Sequence, residues 1–260
     1  MELNLRGRTA MITGASKGIG LASAECLASE GVNVILVSRT LADLESARMQ
    51  ISGRWNVNVR VHAYDLSDSA NIDRLLAAHP DIDILVNNAG AIPAGDLQAI
   101  TEDRWRAAWD LKVFGYINMC RRFYNDMKSR GRGVIINVLG VAGEKMDRGY
   151  IAGSTGNAAL MAFTKALGGS AGDDGLRVVG INPGAIATGR LVTIMKTRAK
   201  DRFGDENRWE ELMKPLPMGR AGTAEEIGVM VAFLASDVSA YTTGTIITID
   251  GGTANRGSMF

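Results

Sequence analysis

The chain has 260 residues, of which 46% are hydrophobic and 22% are charged, and its formal net charge is +1. So small a charge gives no reason to expect nucleic acid or an anionic membrane as a partner, and no apolar run approaches the roughly 20 residues that span a bilayer. The first residues, MELNLRGRTAMITG, lack the apolar region of a signal peptide, so we expect a cytoplasmic protein. The two cysteines and two histidines share no metal-ligand spacing, and we expect no metal site.

Short apolar runs typical of strands alternate with longer stretches at helical spacing. In chain order the strand-like runs are RTAMIT, NVILVS, VNVRVHA, IDILVN, GVIINV, LRVVGI and GTIITID. The helical stretches between them include IGLASAECLASE, NIDRLLAAH, WRAAWDLKVFGYINMCRRFYNDM and AEEIGVMVAFLAS. This alternation predicts an α/β fold, a single-domain doubly wound (Rossmann-type) parallel sheet of about seven strands with helices on both faces. No linker or repeat interrupts it, so residues 1–260 are expected to form one domain.

The first strand is followed by a glycine-rich loop, TGASKGIG, that opens the first helix. Gly14 permits the tight turn, Gly18 lets the backbone approach a pyrophosphate, and Gly20 allows the helix and strand to pack closely. The N-terminus of that helix offers unpaired N–H groups to phosphate. The order strand, loop, helix therefore predicts a dinucleotide site.

The end of the second strand, LVSRT, indicates which dinucleotide binds. An acidic residue there would bond the ribose hydroxyls and favour NAD(H). This chain has Ser38 and Arg39 instead, with Lys17 in the glycine loop. Two cations and no acid favour the extra 2′-phosphate of NADP(H) over NAD(H).

One connection, about residues 189–215, is unusually long and is predicted to be a substrate loop or lid. Its basic residues Lys196, Arg198, Lys200 and Arg202 would either attract an acidic substrate or form the solvated face of a short helix. The small-molecule substrate itself is not readable from the sequence. We expect this loop and the stretch AIPAGDLQAI to determine it.

Together these motifs resemble the short-chain dehydrogenase/reductase family. The resemblance rests on TGASKGIG, NNAG at 87–90, NPGAIAT at 182–188, PMGRAGTAEEIGVMVAFLASDVSAYTTG and the closing IDGG, and it covers nearly the whole chain in order. It implies a nicotinamide cofactor and a homodimer or homotetramer, and the stretch MCRRFYNDM and the apolar end SMF are compatible with oligomer formation. The cofactor-binding residues it implies, with those of the glycine loop, are Gly14, Ser16, Lys17, Gly18, Ile19, Gly20, Arg39, Asp65, Leu66, Asn87, Ala89, Gly90, Pro183, Gly184, Ile186 and Thr188.

The family's catalytic positions are all altered in this sequence. The resemblance implies an asparagine, a serine, a tyrosine that acts as acid/base, and a lysine four residues later that lowers the pKa of the tyrosine. The corresponding residues here are Asp110, Gly140, Gly153 and Asn157, with the register fixed by the LMAFTKAL that follows. Tyr150 does not restore the pair, because the residue four positions beyond it is a serine.

Four interpretations of this stretch stay open at the level of sequence. Tyr150 projects into the cleft as a displaced acid, with Lys145 or Arg148 supplying charge and Gly153 supplying room. The pocket runs a different reaction, or the substrate provides its own acid. The protein binds NADP(H) without turnover, as a sensor or a silent subunit. Finally, the small residues only let helices pack at a subunit interface, or the helix starts late and Gly153 or Ser154 caps it.

Two functions follow from these interpretations. The first is an NADP(H)-dependent oxidoreductase acting on a carbonyl/alcohol pair with a non-standard active site, for which Tyr150 is the catalytic candidate. The alternative is a catalytically silent NADP(H)-binding protein.

Overall fold

A computed structural model describes residues 2–257, apart from the side chains of residues 194, 197 and 201. Seven parallel strands form a single sheet in the order β3-β2-β1-β4-β5-β6-β7. The strands are β1 Thr9–Thr13, β2 Asn33–Ser38, β3 Val59–Ala63, β4 Ile84–Asn87, β5 Gly133–Val138, β6 Leu176–Pro183 and β7 Ile246–Ile249. The seven-stranded parallel α/β fold predicted from the sequence is confirmed, and NVILVS and GVIINV have the boundaries predicted for them.

Eight α-helices connect and cover these strands within the described residues. They are α1 Gly18–Ser29, α2 Leu41–Ser52, α3 Ser69–Ala78, α4 Glu102–Trp109, α5 Gly115–Arg130, α6 Ile151–Ala171, α7 Gly189–Phe203 and α8 Ala224–Ala235. None of them is long and apolar enough to cross a membrane. The long helical stretch predicted from Trp105 to Met127 is interrupted by a turn of π-helix, Asp110–Phe114, which joins α4 to α5.

Alternate residues of each strand enter two different hydrophobic cores. Ile12 and Leu36 face a core completed by α1, α2 and α8, whereas Met11 and Ile35 face a core completed by α3, α5 and the end of α6. The sheet is therefore covered on both faces, which explains why its strands read as continuous apolar runs.

Strand order reverses between β1 and β4, because β2 and β3 lie on one side of this pair and β5 to β7 on the other. In open parallel sheets the crevice beyond the carboxyl ends of such strands is where ligands bind. We therefore expect the ligand site among the loops that follow β1, β4, β5 and β6.

The predicted substrate loop, residues 189–215, consists of α7 and a short 3₁₀ helix at Glu206–Leu212. The exposed positions of Arg198, Lys200 and Arg202 on α7 fit the solvated face of a helix. Its action as a lid stays a prediction, as does oligomer formation. The terminal SMF lies outside the described residues.

Two adjacent glycines of α6 provide a matched test of the packing of that helix. A Cβ at Gly168 would overlap the carbonyl oxygen of Val178 and the backbone of Gly244, whereas a Cβ at Gly169 meets nothing within 4 Å. We expect Gly168→Ala to lower the free energy of unfolding by about 1–3 kcal/mol through overpacking, and Gly169→Ala to raise it by about 0.5–1 kcal/mol through helix propensity. Urea unfolding followed by circular dichroism measures both, and equal effects would contradict this packing.

Candidate active site

A cavity of about 820 Å³ lies beyond the carboxyl ends of the central strands. It begins at the glycine loop after β1, passes the end of β4 and ends beside Tyr150 and Arg190. Most of the predicted cofactor residues line it, namely Gly14, Ser16, Lys17, Gly18, Ile19, Arg39, Leu66, Ala89, Gly90, Pro183, Gly184 and Thr188. The predicted cofactor motifs, which are distant in the sequence, therefore lie around the same cavity.

The glycine loop owes its shape to backbone conformations and close contacts that exclude side chains. Gly14 and Gly18 have φ angles of +65° and +57°, a region in which L-residues other than glycine are strained. Gly20 packs so closely that a Cβ there would overlap the carbonyl oxygen of Gly14. The loop is thereby held against the start of α1, where unpaired N–H groups suit a phosphate.

Hydrogen bonds between the ends of β1 and β4 fix the floor of the cavity. The hydroxyl of Thr13 accepts from the backbone N–H groups of Asn88 at 2.9 Å and Ala89 at 3.0 Å. The amide of Asn88 in turn donates to the carbonyl oxygens of Thr13 at 3.0 Å and Gly14 at 3.2 Å. The NNAG motif and the glycine loop are thus a single bonded unit.

The end of the cavity next to β2 carries three charged side chains. Lys17 is largely exposed and forms an ion pair with Asp43 at 2.7 Å, whereas Arg39 is exposed and pairs with no acid among the described residues. The hydroxyls of Ser16 and Ser38 lie 3.1 Å apart. The end of β2 carries no acidic residue, as the sequence indicates. Asp43, in the first turn of α2, nevertheless lies in the cavity lining, which the sequence pattern did not predict.

Four of the predicted cofactor residues lie outside the cavity lining. Gly20 supports the glycine loop from within α1. A carboxylate oxygen of Asp65 accepts from the backbone and hydroxyl of Ser67, at 3.0 and 2.8 Å. The buried amide of Asn87 donates to Asn137 at 2.9 Å, and Ile186 borders a second, smaller cavity of about 180 Å³.

The four positions that the family resemblance assigns to catalysis are distributed unevenly around the cavity. Gly140, at the exit of β5, and Asn157, on α6, line it, whereas Asp110 and Gly153 do not. Asp110 is exposed at the first position of the π-helical turn. The exchange of the family's asparagine for Asp110 therefore adds no carboxylate to the cavity.

The ring of Tyr150 occupies the space that a side chain at Gly153 would need. A Cβ at Gly153 would overlap the Cε1 and Cζ atoms of that ring. α6 begins at Ile151, with Tyr150 immediately before it as N-cap, so Gly153 lies inside the first turn. The late helix start considered in the sequence analysis, with Gly153 or Ser154 as the cap, is therefore wrong.

Tyr150 is held by its backbone, and its hydroxyl is left available. Tyr150 forms an isolated β-bridge with Gly95. In it the N–H of Gly95 donates to the carbonyl oxygen of Gly149 at 2.7 Å, and the N–H of Ile151 donates to the carbonyl oxygen of Gly95 at 3.4 Å. The half-buried ring packs in a cluster with Ile92. Among the described residues nothing hydrogen bonds to the Tyr150 hydroxyl, although the residue lines the cavity.

The cations near Tyr150 are not the ones that the sequence suggested. Neither Lys145 nor Arg148 lines the cavity, and the Lys145 ammonium donates to the carbonyl of Thr253 at 3.1 Å. Arg190 and Lys112 line the cavity instead. Arg190 follows two residues after the NPGAIAT motif, which was a usable signal, whereas nothing in the sequence distinguished Lys112.

Lys112 is a buried lysine of the π-helical turn. Its stem fills the space beside Gly90, where a Cβ would come within 2.5 Å of the Lys112 Cδ. The Nζ atom donates to the Tyr116 hydroxyl at 2.9 Å and to the carbonyl oxygens of Val138 at 2.9 Å and Leu139 at 3.3 Å. Burial, followed by the nearby charge of Arg190, lowers the pKa of Lys112 to about 7.

Asn157 provides evidence that the cavity is built for a polar ligand. The residue is buried, and its Oδ1 atom has no hydrogen-bond partner within the described part of the chain. An unsatisfied buried acceptor costs free energy unless a ligand or water supplies a donor. A ribose hydroxyl is such a donor, so Asn157 fits a nucleotide at this position although it cannot carry charge as a lysine does.

The chain is similar to several known oxidoreductases. A family model described as enoyl-(acyl carrier protein) reductase matches residues 14–254. A 2-keto-3-deoxy-L-fuconate dehydrogenase from Xanthomonas campestris is 34% identical over 96% of this chain and 81% of its own length, and a 3-oxoacyl-[acyl-carrier-protein] reductase from Chlamydia muridarum is 32% identical over 98% and 100%. The crystal structure of L-sorbose reductase from Gluconobacter frateurii, complexed with NADPH and L-sorbose, has a TM-score of 0.92 and 30% identity over 99% of this chain and 100% of its own.

The contact between Tyr150 and Gly153 predicts a measurable coupling between the two residues. We expect Gly153→Ala to lower the free energy of unfolding by about 1–3 kcal/mol, because the added methyl displaces the ring. In a Tyr150→Ala background the same change should stabilise the protein by about 0.5–1 kcal/mol, as alanine does in an open helix. Urea unfolding of the four proteins gives the coupling energy, and additive effects would show that the ring does not occupy this space.

Proposed function

The chain belongs to the short-chain dehydrogenase/reductase family, and we propose that it is an NADP(H)-dependent oxidoreductase in which Tyr150 serves as the displaced proton donor. The observation that carries this proposal is the phenol ring in the space beside Gly153, where the family resemblance places its own tyrosine. The tyrosine is thus supplied from the N-cap position of α6 instead of from its first turn.

The cavity residues fit a nicotinamide dinucleotide. The glycine loop and the N-terminus of α1 would hold the pyrophosphate, Asn157 would accept from the ribose beside the nicotinamide, and Arg39 would bind a 2′-phosphate. When bound, NADPH supplies a hydride to the substrate's carbonyl carbon. The residues of this chain have to position the substrate and provide the proton for its oxygen.

Tyr150 is suited to giving a proton rather than taking one. Burial raises the pKa of Tyr150 above its ordinary value, and the positive charge of Arg190 offsets only part of that rise. A phenol with a raised pKa stays protonated at neutral pH and can donate to an oxygen on which negative charge develops. The protonated phenol is the form that the proposed carbonyl reduction requires.

A second candidate function is that of an NADP(H)-binding protein without turnover. It is favoured by the absence of the family's serine, tyrosine and lysine from positions 140, 153 and 157. A positioned acid and an oxyanion donor are each typically worth about 10²-fold or more in rate. The experiments below separate the two functions, because binding of NADPH without reduction of any carbonyl compound would favour the silent protein.

Arg39 is predicted to select the cofactor. Arg39→Ala should raise the Kd for NADPH roughly 10–100-fold, because the change removes a charge-assisted bond to the 2′-phosphate. The Kd for NADH should change little, since NADH lacks that phosphate. Arg48→Ala is the matched control, because Arg48 lies nearby on α2, outside the cavity lining, and pairs with Glu45. Fluorescence titration of the three proteins with both cofactors measures these constants, and tighter binding of NADH than NADPH to the unaltered protein would overturn the preference.

Tyr150→Phe should lower kcat for carbonyl reduction about 10²–10⁴-fold while leaving the Kd for NADPH unchanged. Tyr124→Phe is the control, because the Tyr124 hydroxyl bonds Asp174 outside the cavity. The reverse oxidation needs the phenolate, so with a pKa raised above the ordinary value of tyrosine its rate should still be rising at the highest pH that the protein tolerates, whereas the reduction rate stays flat around neutral pH. Unchanged turnover in Tyr150→Phe would remove Tyr150 from the mechanism.

A further inference from the structure

The end of the cavity beside Tyr150 is positively charged. Arg190 and Lys112 both line it. The one acidic residue among the described lining residues is Asp43, which lies at the opposite end and is paired with Lys17. A ligand at the Tyr150 end would therefore meet the Arg190 guanidinium with no carboxylate of the described lining to neutralise it.

Arg190 is fixed in place but keeps most of its hydrogen-bonding capacity. It is the second residue of α7, and one Nη atom donates to the carbonyl oxygen of Ile92 at 2.6 Å. A guanidinium has five N–H donors, and no other described residue hydrogen bonds to the Arg190 side chain. Its exposed remainder presents donors whose spacing suits a carboxylate or phosphate.

The position of Arg190 relative to Tyr150 is set by a shared neighbour. Ile92, whose carbonyl anchors Arg190, packs in the same small cluster as the Tyr150 ring. The charge of Arg190 acts on both neighbouring groups, since it opposes the burial-driven rise in the pKa of Tyr150 and adds to the burial-driven fall in the pKa of Lys112. All three side chains line the cavity.

We propose that the substrate is an oxo acid, whose carboxylate is bound by Arg190 while its carbonyl oxygen lies at the Tyr150 hydroxyl. This inference rests on the proposed function. In the reaction a hydride from NADPH forms the new C–H bond, the C=O π-bond breaks, and the Tyr150 proton passes to the oxygen to give a hydroxy acid and NADP⁺. The carboxylate is unchanged, so it contributes binding and orientation only.

The test uses substrates that differ in charge alone, namely short 2-oxo and 3-oxo acids and their methyl esters, with unaltered protein, Arg190→Gln and Arg190→Lys. In the unaltered protein kcat/KM should be at least about 10-fold higher for an acid than for its ester. Arg190→Gln should abolish that ratio by losing roughly 10–100-fold on the acid, mostly through KM, and Arg190→Lys should restore part of it. A merely structural role of Arg190, in pinning α7 to Ile92, would lower acid and ester equally and overturn the proposal.

Binding measurements keep the inference separate from the proposed function. Reduction of esters or neutral ketones in preference to acids would overturn the inference and leave the oxidoreductase intact, and preference for a phosphorylated ketose would show that the anion recognised is a phosphate. If NADPH binds but no carbonyl is reduced, the proposed function fails. In that event calorimetric titration of the protein–NADPH complex with the same oxo acids decides the matter, since weaker binding to Arg190→Gln supports anion recognition and equal binding rejects it.

Discussion

The close approach of the chain at the carboxyl ends of β1 and β4 is the constraint on which the rest of the site depends. No side chain fits at Gly20 because the carbonyl of Gly14 lies against it, and Asn88 bonds that same carbonyl from β4. This contact aligns the glycine loop with the NNAG segment at the reversal of strand order. The glycine loop and the residues around Asn88 line the same cavity, and Lys112 lies beside Gly90 in the NNAG segment.

At the Tyr150 end of the cavity, polar side chains occupy the space that a side chain at a neighbouring glycine would need. Tyr150 fills the room beside Gly153, and Lys112 fills the room beside Gly90. The amide of Asn157 lies against Gly140, where a Cβ would be 3.1 Å from its Nδ2 atom. Two of these contacts, at Gly140 and Gly153, lie at positions where the sequence predicts a departure from the family pattern. Restoring a tyrosine at position 153 alone would collide with Tyr150, so the ordinary arrangement and this one exclude each other.

The sheet and the glycine loop could be predicted from the sequence because the residues that determine them are close together in the chain. Strands such as NVILVS are continuous apolar runs, and TGASKGIG carries its turn chemistry within eight residues. The arrangement of residues at the Tyr150 end of the cavity could not be predicted in this way, because it depends on contacts between segments that are distant in the sequence. The Tyr150 ring depends on the bridge to Gly95, and Arg190 depends on the carbonyl of Ile92, 98 positions away along the chain. Asp43 was missed for the same reason, because the first turn of α2 carries it to Lys17.

The loss of the lysine that follows the family's tyrosine has a consequence for the direction of the chemistry. In the family that cation lowers the pKa of the tyrosine, which lets one group act as acid in reduction and as base in oxidation. Here position 157 is an asparagine, and Lys112 is held by Tyr116 and two backbone carbonyls beneath Gly90. Arg190 alone offsets the burial of Tyr150, and it does so only partly. An anionic substrate bound to Arg190 would neutralise even that contribution, and the phenol would become still harder to ionise. Under the proposed function both effects keep the phenol protonated, which is the form that carbonyl reduction requires and alcohol oxidation does not.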